Sequence, residues 1–261
     1  MPVVIETGAA DTNKANVVWQ AVEPSVVAST EADGYPAINL IDPATWSSWQ
    51  PIAVPATASY DLGSALSIDA VGIGAHTLAT SGATIEVQSS TDNSAWTTCA
   101  TSAPLTDDDL ILLFPAVLAR YWRIRITGSV ASIGVFVAGV KLAFPNTPID
   151  SYTPLHHSRQ YTKMFNDSIK GAMLNNRVMA QGAKTAVDLG FVQRSFVDGP
   201  MRAFESHYNQ GGTFFYAGWP AGQPLDMGYC RALDDNEIVM VEYIQGANLA
   251  NLSFSVRAYV G

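Results

Sequence analysis

Short apolar runs separated by turn residues fill the chain from about residue 16 to residue 144. Glycine, proline, aspartate and asparagine recur every ~8 to 15 residues, a spacing typical of all-β domains. The clearest candidate strands between these turns read AVGIGAH (70–76), ATIEVQSS (83–90), ARYWRIRI (119–126) and SIGVFVAGVKLAF (132–144). No helical periodicity interrupts them, so the pattern predicts a β-sandwich or jelly roll.

Strict alternation in segment 119–126 assigns its residues to the two faces of one strand. Trp122, Ile124 and Ile126 are expected to face the core. Tyr121, Arg123 and Arg125 then lie on the outer face, where an arginine can pair with an acidic residue, meet another subunit or contact a ligand.

A proline-rich segment, PNTPIDSYTP (145–154), follows the last of these strands. Three prolines among polar residues indicate an extended linker. We therefore place a domain boundary here and predict two domains, 1–145 and 146–261. Residues 1–22 contain a further candidate strand, NVVWQAV, and either belong to the first domain or return to the second.

The second half combines one helix with several strands, which predicts an α+β domain built on an antiparallel sheet. The helix is expected within 198–212, with Asp198 as its N-cap and a glycine pair, 211–212, ending it. Its apolar face comprises Met201, Phe204 and Tyr208. Candidate strands lie at 177–191, 212–218, 229–244 (with a hairpin turn at 234–236) and 250–260.

Composition narrows the function classes. Only 14% of residues are charged and the formal net charge is −9, which argues against a phosphate-binding surface and hence against nucleic acid as a partner. No apolar run approaches the ~20 residues of a membrane span, and the N-terminus does not read as a signal peptide, so we expect synthesis in the cytoplasm without membrane insertion. Cys99 and Cys230 are far apart in sequence and are expected to be free thiols.

Enzyme signatures are missing from the sequence: no nucleophile elbow, zinc-protease motif, phosphate loop or dinucleotide fingerprint occurs. We therefore predict a protein that is not an enzyme and needs no cofactor. The pair His156–His157 lacks a third metal ligand at a recognisable spacing and reads as a loop pair. Asp107–Asp109 reads as a solvated turn, with a calcium loop as the alternative.

Aromatic residues beside polar turns are the candidate binding residues. Sugar rings are held by aromatic faces together with hydrogen-bonding side chains. The ligand candidates are Trp46, Trp49, His76 and Trp96, although a tryptophan in a sandwich is more often part of the core. A glycine-rich aromatic stretch supplies the candidates for a subunit interface, namely Phe214, Phe215, Tyr216 and Trp219.

The first half resembles the discoidin domain, the galactose-binding-like jelly roll of coagulation factors. Five pieces occur in that family's order: GYPAINLIDPATWSSW (34–49), ASYDLGSALSIDAVGI (58–73), ATIEVQSSTDNSAW (83–96), ARYWRIRI and the closing strand 132–144. The resemblance implies a jelly roll over residues 26–144. Members of the family serve as glycan- or lipid-binding modules and also as structural modules without a ligand.

The ending VMVEYIQGANLANLSFSVRAYVG (239–261) is similar in texture to the terminal strands of tailed-phage tail-tip proteins, including distal tail proteins. This resemblance implies a structural component of a phage or prophage tail tip or baseplate, located in the virion tail and forming a homo-oligomeric ring. Its partners would be tube, hub and tape-measure proteins, and its jelly roll would contact host-surface glycan. The alternative is a carbohydrate-binding adhesion module without an assembly role.

Overall fold

The computed structural model describes residues 2–19, 25–148 and 152–260. The fold is mainly β, as predicted, with antiparallel sheets and a jelly-roll-like first domain. The strands of the described residues are β1 (Val3–Ile5), β2 (Asn16–Val18), β3 (Ser25–Ala28), β4 (Ala56–His76), β5 (Thr84–Ser90), β6 (Thr97–Ser102), β7 (Leu110–Thr127), β8 (Ile133–Gly139), β9 (Leu142–Ala143), β10 (Arg159–Asp167), β11 (Met173–Gln193), β12 (Phe214–Ala217), β13 (Met227–Ala232), β14 (Met240–Tyr243) and β15 (Leu249–Ala258).

Helices are few and short. The α-helices are α1 (Leu78–Ser81), α2 (Arg194–Val197) and α3 (Met201–Asn209), and 3₁₀ turns cover Ala37–Ile41 and Leu155–His157. Within the described residues, no helix is long and apolar enough to cross a membrane.

Two long strands, β4 and β7, organise the jelly roll. They pair antiparallel along most of their length, with register breaks between Asp61 and Leu66 and between Ile68 and Ala70. Before these breaks β4 also pairs with β3, and the matching half of β7 pairs with β5, which carries β6. Beyond them β4 pairs with β8 and β7 with β1. The two halves form the two layers of a sandwich, and we call them the front layer and the middle layer.

The core between these layers contains the side chains that the alternating pattern predicts. Tyr60 of the front layer stacks on Phe136 of the middle layer, with ring centroids 4.8 Å apart. Trp122, Ile124 and Ile126 are buried, as expected for segment 119–126. On the outer face Arg125 pairs with Glu86 at 3.0 Å, so at least this arginine has an internal partner.

A second sheet has the order β10-β11-β15-β13-β12-β2-β9, with β14 added beside β15. It includes β2, so Asn16–Val18 lie in the second sheet between β12 and β9, while β1 lies in the jelly roll. The predicted linker 145–154 includes residues 149–151, which lie outside the described residues.

Helix α3 covers one face of the second sheet and confirms the periodicity seen in the sequence, because Met201, Phe204 and Tyr208 are fully buried. The predicted N-cap is wrong. Asp198 lies at the end of α2, where its carboxylate accepts hydrogen bonds from Arg194 and Tyr243. The chain enters α3 through Pro200 instead.

The predicted hairpin within 229–244 is also wrong. β13 and β14 do not pair with each other; β13 pairs with β15 at residues 256–258, and β14 pairs with it at residues 250–253. The two strands therefore lie one after the other along the same edge of β15.

The second sheet packs its other face on the middle layer of the jelly roll. A shared core joins Val135 and Val137 of β8 to Phe215 of β12 and Tyr229 of β13. Gly72 of β4 allows the closest approach, since a Cβ built there would lie 2.2 Å from the Phe215 ring. The molecule is thus a stack of front layer, middle layer, second sheet and helix α3.

This stacking corrects three of the predicted interface residues. Phe214, Phe215 and Tyr216 are fully buried inside the chain. Phe215 points to the jelly roll, whereas Phe214 and Tyr216 point to the core under α3. They are unavailable to a second subunit, because β12 is covered on both faces. Trp219, on the following loop, is 41% exposed.

β10 and the first half of β11 form a projecting hairpin, which we call the arm (159–181). Every position of the arm is exposed except the half-buried Ser168 at its turn. Large apolar side chains lie on it, including Phe165, Ile169, Met173 and Leu174.

Candidate binding cleft

The structure separates the four predicted ligand residues. Trp46 is the most exposed tryptophan of the set, with 86% of its surface accessible. Trp49, three residues later in the same loop, is fully buried and donates its indole N–H to the Thr30 carbonyl at 3.1 Å. The prediction for Trp49 is therefore wrong, because its ring fills the core beneath the loop that presents Trp46.

His76 is likewise unavailable to a ligand. It ends β4 opposite Ile133, its side chain is buried, and its Nδ1 lies 3.8 Å from the Asp107 carboxylate. Burial lowers the pKa of His76, with Asp107 opposing that shift. The prediction of His76 as a ligand contact is corrected to a core position.

Trp96 is half-buried in the loop that joins β5 to β6. The Arg123 guanidinium lies 4.1 Å from the centre of its ring, and Arg123 Nε donates to Gln88 at 2.6 Å. One face of the indole is therefore occupied by the protein. Trp46 and Trp96 do not converge, because β5 runs from the 77–83 loop to the opposite end of the sandwich.

A cleft of about 490 Å³ opens beside Trp46, between the jelly roll and the second sheet. The jelly roll contributes the loop 43–46, and the second sheet contributes β11, β13, β15 and the residues after β15. We call it the composite cleft. Its lining comprises Pro43, Ala44, Thr45, Trp46, Gln181, Thr213, Tyr229, Cys230, Arg231, Arg257, Ala258, Tyr259 and Val260.

Tyr229 fixes the two sides of the composite cleft to each other. Its hydroxyl donates to the Pro43 carbonyl at 2.9 Å and lies 2.7 Å from the Thr213 hydroxyl. Its backbone N–H donates to the buried Asp109 carboxylate at 2.6 Å. Burial raises the pKa of Tyr229 to about 12, so the phenol stays protonated and able to donate at neutral pH.

Three basic side chains lie in adjacent register positions across three strands of the second sheet, and two of them, Arg231 and Arg257, line the cleft. Arg257 of β15 pairs in register with Arg231 of β13 on one side and with Lys184 of β11 on the other. All three are exposed and lie on the sheet face that also carries Tyr229. We call Lys184, Arg257 and Arg231 the basic ladder.

The basic ladder was not predicted from the sequence. The alternation of polar and apolar residues does place each arginine on the outer face of its strand, since Arg231 lies between Cys230 and Ala232 and Arg257 between Val256 and Ala258. The pattern assigns a face within one strand but not the neighbour of that strand. Only the sheet order brings the three cations together.

The aspartates 107–109 each have different partners. Asp107 accepts from the Ala79 and Thr80 backbone N–H groups and the Thr80 hydroxyl, and Asp108 pairs with Arg159 at 2.9 Å. Asp109 turns inward to Tyr229.

Across the described ranges, no three histidine, cysteine or acidic side chains are grouped to hold a metal ion. Both cysteines are free, as expected.

The F5/8 type C domain family matches residues 25–136, which include both layers of the jelly roll apart from β1 and the end of β8. This match supports the discoidin resemblance for the first domain. It covers less than half of the chain and leaves the second sheet and α3 outside. No curated protein matches the chain.

Similar solved structures include carbohydrate-binding modules. The CBM32 module of AlyQ in complex with 4,5-unsaturated mannuronic acid is 24% identical, with 44% of this chain and 92% of that chain covered and a TM-score of 0.39. A pectin-binding module is 18% identical, covering 44% and 88% with a TM-score of 0.40. Chitosan-binding module 2 of a Paenibacillus sp. IK-5 chitosanase/glucanase, in complex with chitotriose, is 20% identical, covering 44% and 95% with a TM-score of 0.39.

Proposed function

We propose that this protein, whose residues 25–136 match the F5/8 type C domain family, binds carbohydrate in the composite cleft. The observation that carries the proposal is the exposed Trp46 ring at the edge of a cleft lined with hydrogen-bonding side chains. A sugar ring offers an apolar face that can stack on the exposed Trp46 indole.

The size and polarity of the cleft support this function. Its volume of about 490 Å³ lies within the ~300–1,000 Å³ range of small-molecule sites. Thr45, Thr213 and Tyr259 supply hydroxyl groups to the cleft lining. Sugar hydroxyls need such donors and acceptors, while Trp46 supplies the stacking surface.

We expect Trp46→Ala to weaken carbohydrate binding by at least about tenfold, because stacking and apolar burial are lost together. Isothermal titration with a panel of neutral and acidic oligosaccharides measures this, and a ligand-induced fluorescence change that is lost in Trp46→Ala reports the same site. Trp219→Ala is the matched control, since Trp219 is also exposed but lies outside the cleft lining.

Binding that survives Trp46→Ala but not Trp219→Ala would place the site elsewhere. Absence of binding to every saccharide of the panel by the unaltered protein would refute the proposed function. Circular dichroism of the unaltered protein, Trp46→Ala and Trp219→Ala checks that all three are folded, so that a loss of binding cannot come from unfolding.

The remaining expectations from the sequence stay predictions. They are a tail-tip or baseplate role, a virion location with synthesis in the cytoplasm, tail-protein partners, a homo-oligomeric ring, the absence of enzyme activity and the absence of a cofactor. The family match to a glycan- or lipid-binding type of module favours the adhesion alternative over the assembly role.

A further inference from the structure

We propose that the composite cleft selects acidic saccharides, whose carboxylate or sulfate groups are bound by the basic ladder. This inference rests on the proposed function and adds the class of ligand. Arg231 and Arg257 line the cleft, and Lys184 continues the row on β11.

The register of the second sheet brings the three cations side by side. Residues directly opposite each other in antiparallel strands have Cβ atoms ~5 Å apart, and like charges in such positions are mutually destabilising. Two successive pairs of this kind occur here, Lys184 with Arg257 and Arg257 with Arg231. An anion lying across the strands removes that repulsion.

The basic ladder is a group of neighbouring cations without acidic partners in the described part of the chain, although six of the fourteen lysines and arginines of the chain have such partners. The chain has 23 acidic residues against 14 lysines and arginines, so acidic partners are plentiful. Lys14, Arg120, Arg125, Lys141, Arg159 and Arg194 all form ion pairs with aspartate or glutamate. Among the described residues, none of the ladder cations has such a pair. A local positive surface therefore persists on an acidic protein.

The chemistry of the ladder suits a carboxylate better than a hydroxyl. A guanidinium presents its N–H groups as a planar fork that binds a carboxylate through two parallel hydrogen bonds. Arg257 lies over Gly182, where a Cβ would be 3.6 Å from Nε and 3.9 Å from Nη2. The bare backbone at Gly182 leaves the arginine room to lie along the sheet.

Trp46 and the basic ladder would divide the recognition between them. Trp46 stacks on the apolar face of one sugar ring, and the arginines bind the acidic group of that ring or its neighbour. A neutral saccharide retains the stacking but leaves the cations unpaired, so the ladder should set the preference for acidic over neutral ligands.

The test compares matched ligands that differ only in charge. The probes are oligogalacturonate, oligomannuronate and hyaluronan oligosaccharides, each beside its methyl ester, together with neutral oligosaccharides. We expect at least one acid to bind at least about tenfold more tightly than its ester at low salt, with a preference that shrinks as salt is raised.

The double variant Arg231→Gln/Arg257→Gln should abolish this preference, so that an acid and its ester bind within about threefold of each other. The matched control is Arg202→Gln/Lys170→Gln, which removes the same charge from α3 and from the tip of the arm, outside the cleft. This control should keep the preference.

The outcomes separate the two proposals. Saccharide binding that depends on Trp46 but is equal for acids and esters, or a preference that survives Arg231→Gln/Arg257→Gln, overturns the acidic selectivity and leaves carbohydrate binding intact. No binding of any saccharide refutes the proposed function itself.

Discussion

Asp109 is a carboxylic acid buried between two β-sheets. Asp109 is 6% exposed and its carboxylate accepts a hydrogen bond from the Tyr229 N–H at 2.6 Å. Tyr229 belongs to β13, which also lines the composite cleft. Burial raises the pKa of Asp109 to about 7 from an ordinary value of 3.8, while the hydrogen bond from Tyr229 opposes the shift. The ionised form is therefore disfavoured in the folded state.

We predict that Asp109→Asn makes the protein more stable relative to wild type at pH 8 than at pH 4.5. The folded-state pKa lies above the unfolded one, so the favourable contribution of Asp109 is complete below pH ~4 and is lost as the pH rises through about 7. The difference between the two pH values is at most ~4 kcal/mol of unfolding free energy. Asparagine keeps an oxygen that can accept from Tyr229.

Urea unfolding of both proteins at the two pH values measures this difference. Asp33→Asn, which removes an exposed carboxylate, serves as the control and should show much less dependence on pH. An Asp109→Asn effect of equal size at pH 4.5 and pH 8 would contradict the prediction.

Neighbouring residues show why the candidate site could be predicted only in part. Trp46 and Trp49 lie in one loop with similar polar surroundings, yet one is exposed and the other is fully buried. The sequence predicts that aromatic rings lie beside a turn, but it does not predict which ring points into the core and which points into solvent. The buried indole is distinguished by its bond to Thr30, a contact across 19 residues that no local pattern contains.

At the scale of elements, local periodicity succeeded where the contacts are local. The three buried residues of α3, Met201, Phe204 and Tyr208, follow from helical spacing in the sequence. The buried residues of segment 119–126 follow from strand alternation. The hairpin assigned to 229–244 failed because both strands pair with β15 rather than with each other. Strand order depends on contacts between distant segments, which alternation does not encode.

The arm is the element that contributes least to the core. We predict that joining Lys163 to Val178 through an Asn-Gly turn, in place of residues 164–177, changes the melting temperature by less than ~3 °C. Lys163 and Val178 are cross-strand partners, so a two-residue turn fits between them. The deleted residues are exposed apart from the half-buried Ser168, and they bury little apolar surface.

Calorimetry and mass measurement in solution test this prediction together. A large fall in melting temperature would mean that the arm is covered in the native protein. Since Phe165, Ile169, Met173 and Leu174 are removed, we also expect the shortened protein to self-associate less than the full chain.

At the scale of the whole molecule, the contact between Gly72 and Phe215 joins the jelly roll to the second sheet. We predict that Gly72→Ala lowers the unfolding free energy by ~1–3 kcal/mol, because the new methyl group would lie 2.2 Å from the Phe215 ring and force the layers apart. The double variant Gly72→Ala/Phe215→Leu should recover part of the loss, since leucine vacates that space.

Chemical denaturation of the two single variants and the double variant gives the coupling between the two sites. Additive effects would show that the layers do not meet at these two residues. A fall in carbohydrate affinity that accompanies Gly72→Ala would further indicate that the distance between the layers sets the width of the composite cleft.

A binding module that is joined to the rest of a protein by a flexible linker can take many orientations within the reach of that linker. Here β8, β12 and β13 share one apolar core between the jelly roll and the second sheet, and an apolar interface of this kind opposes relative motion of the two parts. A polymer held at Trp46 would therefore be held at a fixed angle to the arm and to α3. Copies arranged on a surface would present their bound chains in parallel, so that avidity would depend on the spacing of the copies rather than on the reach of a linker.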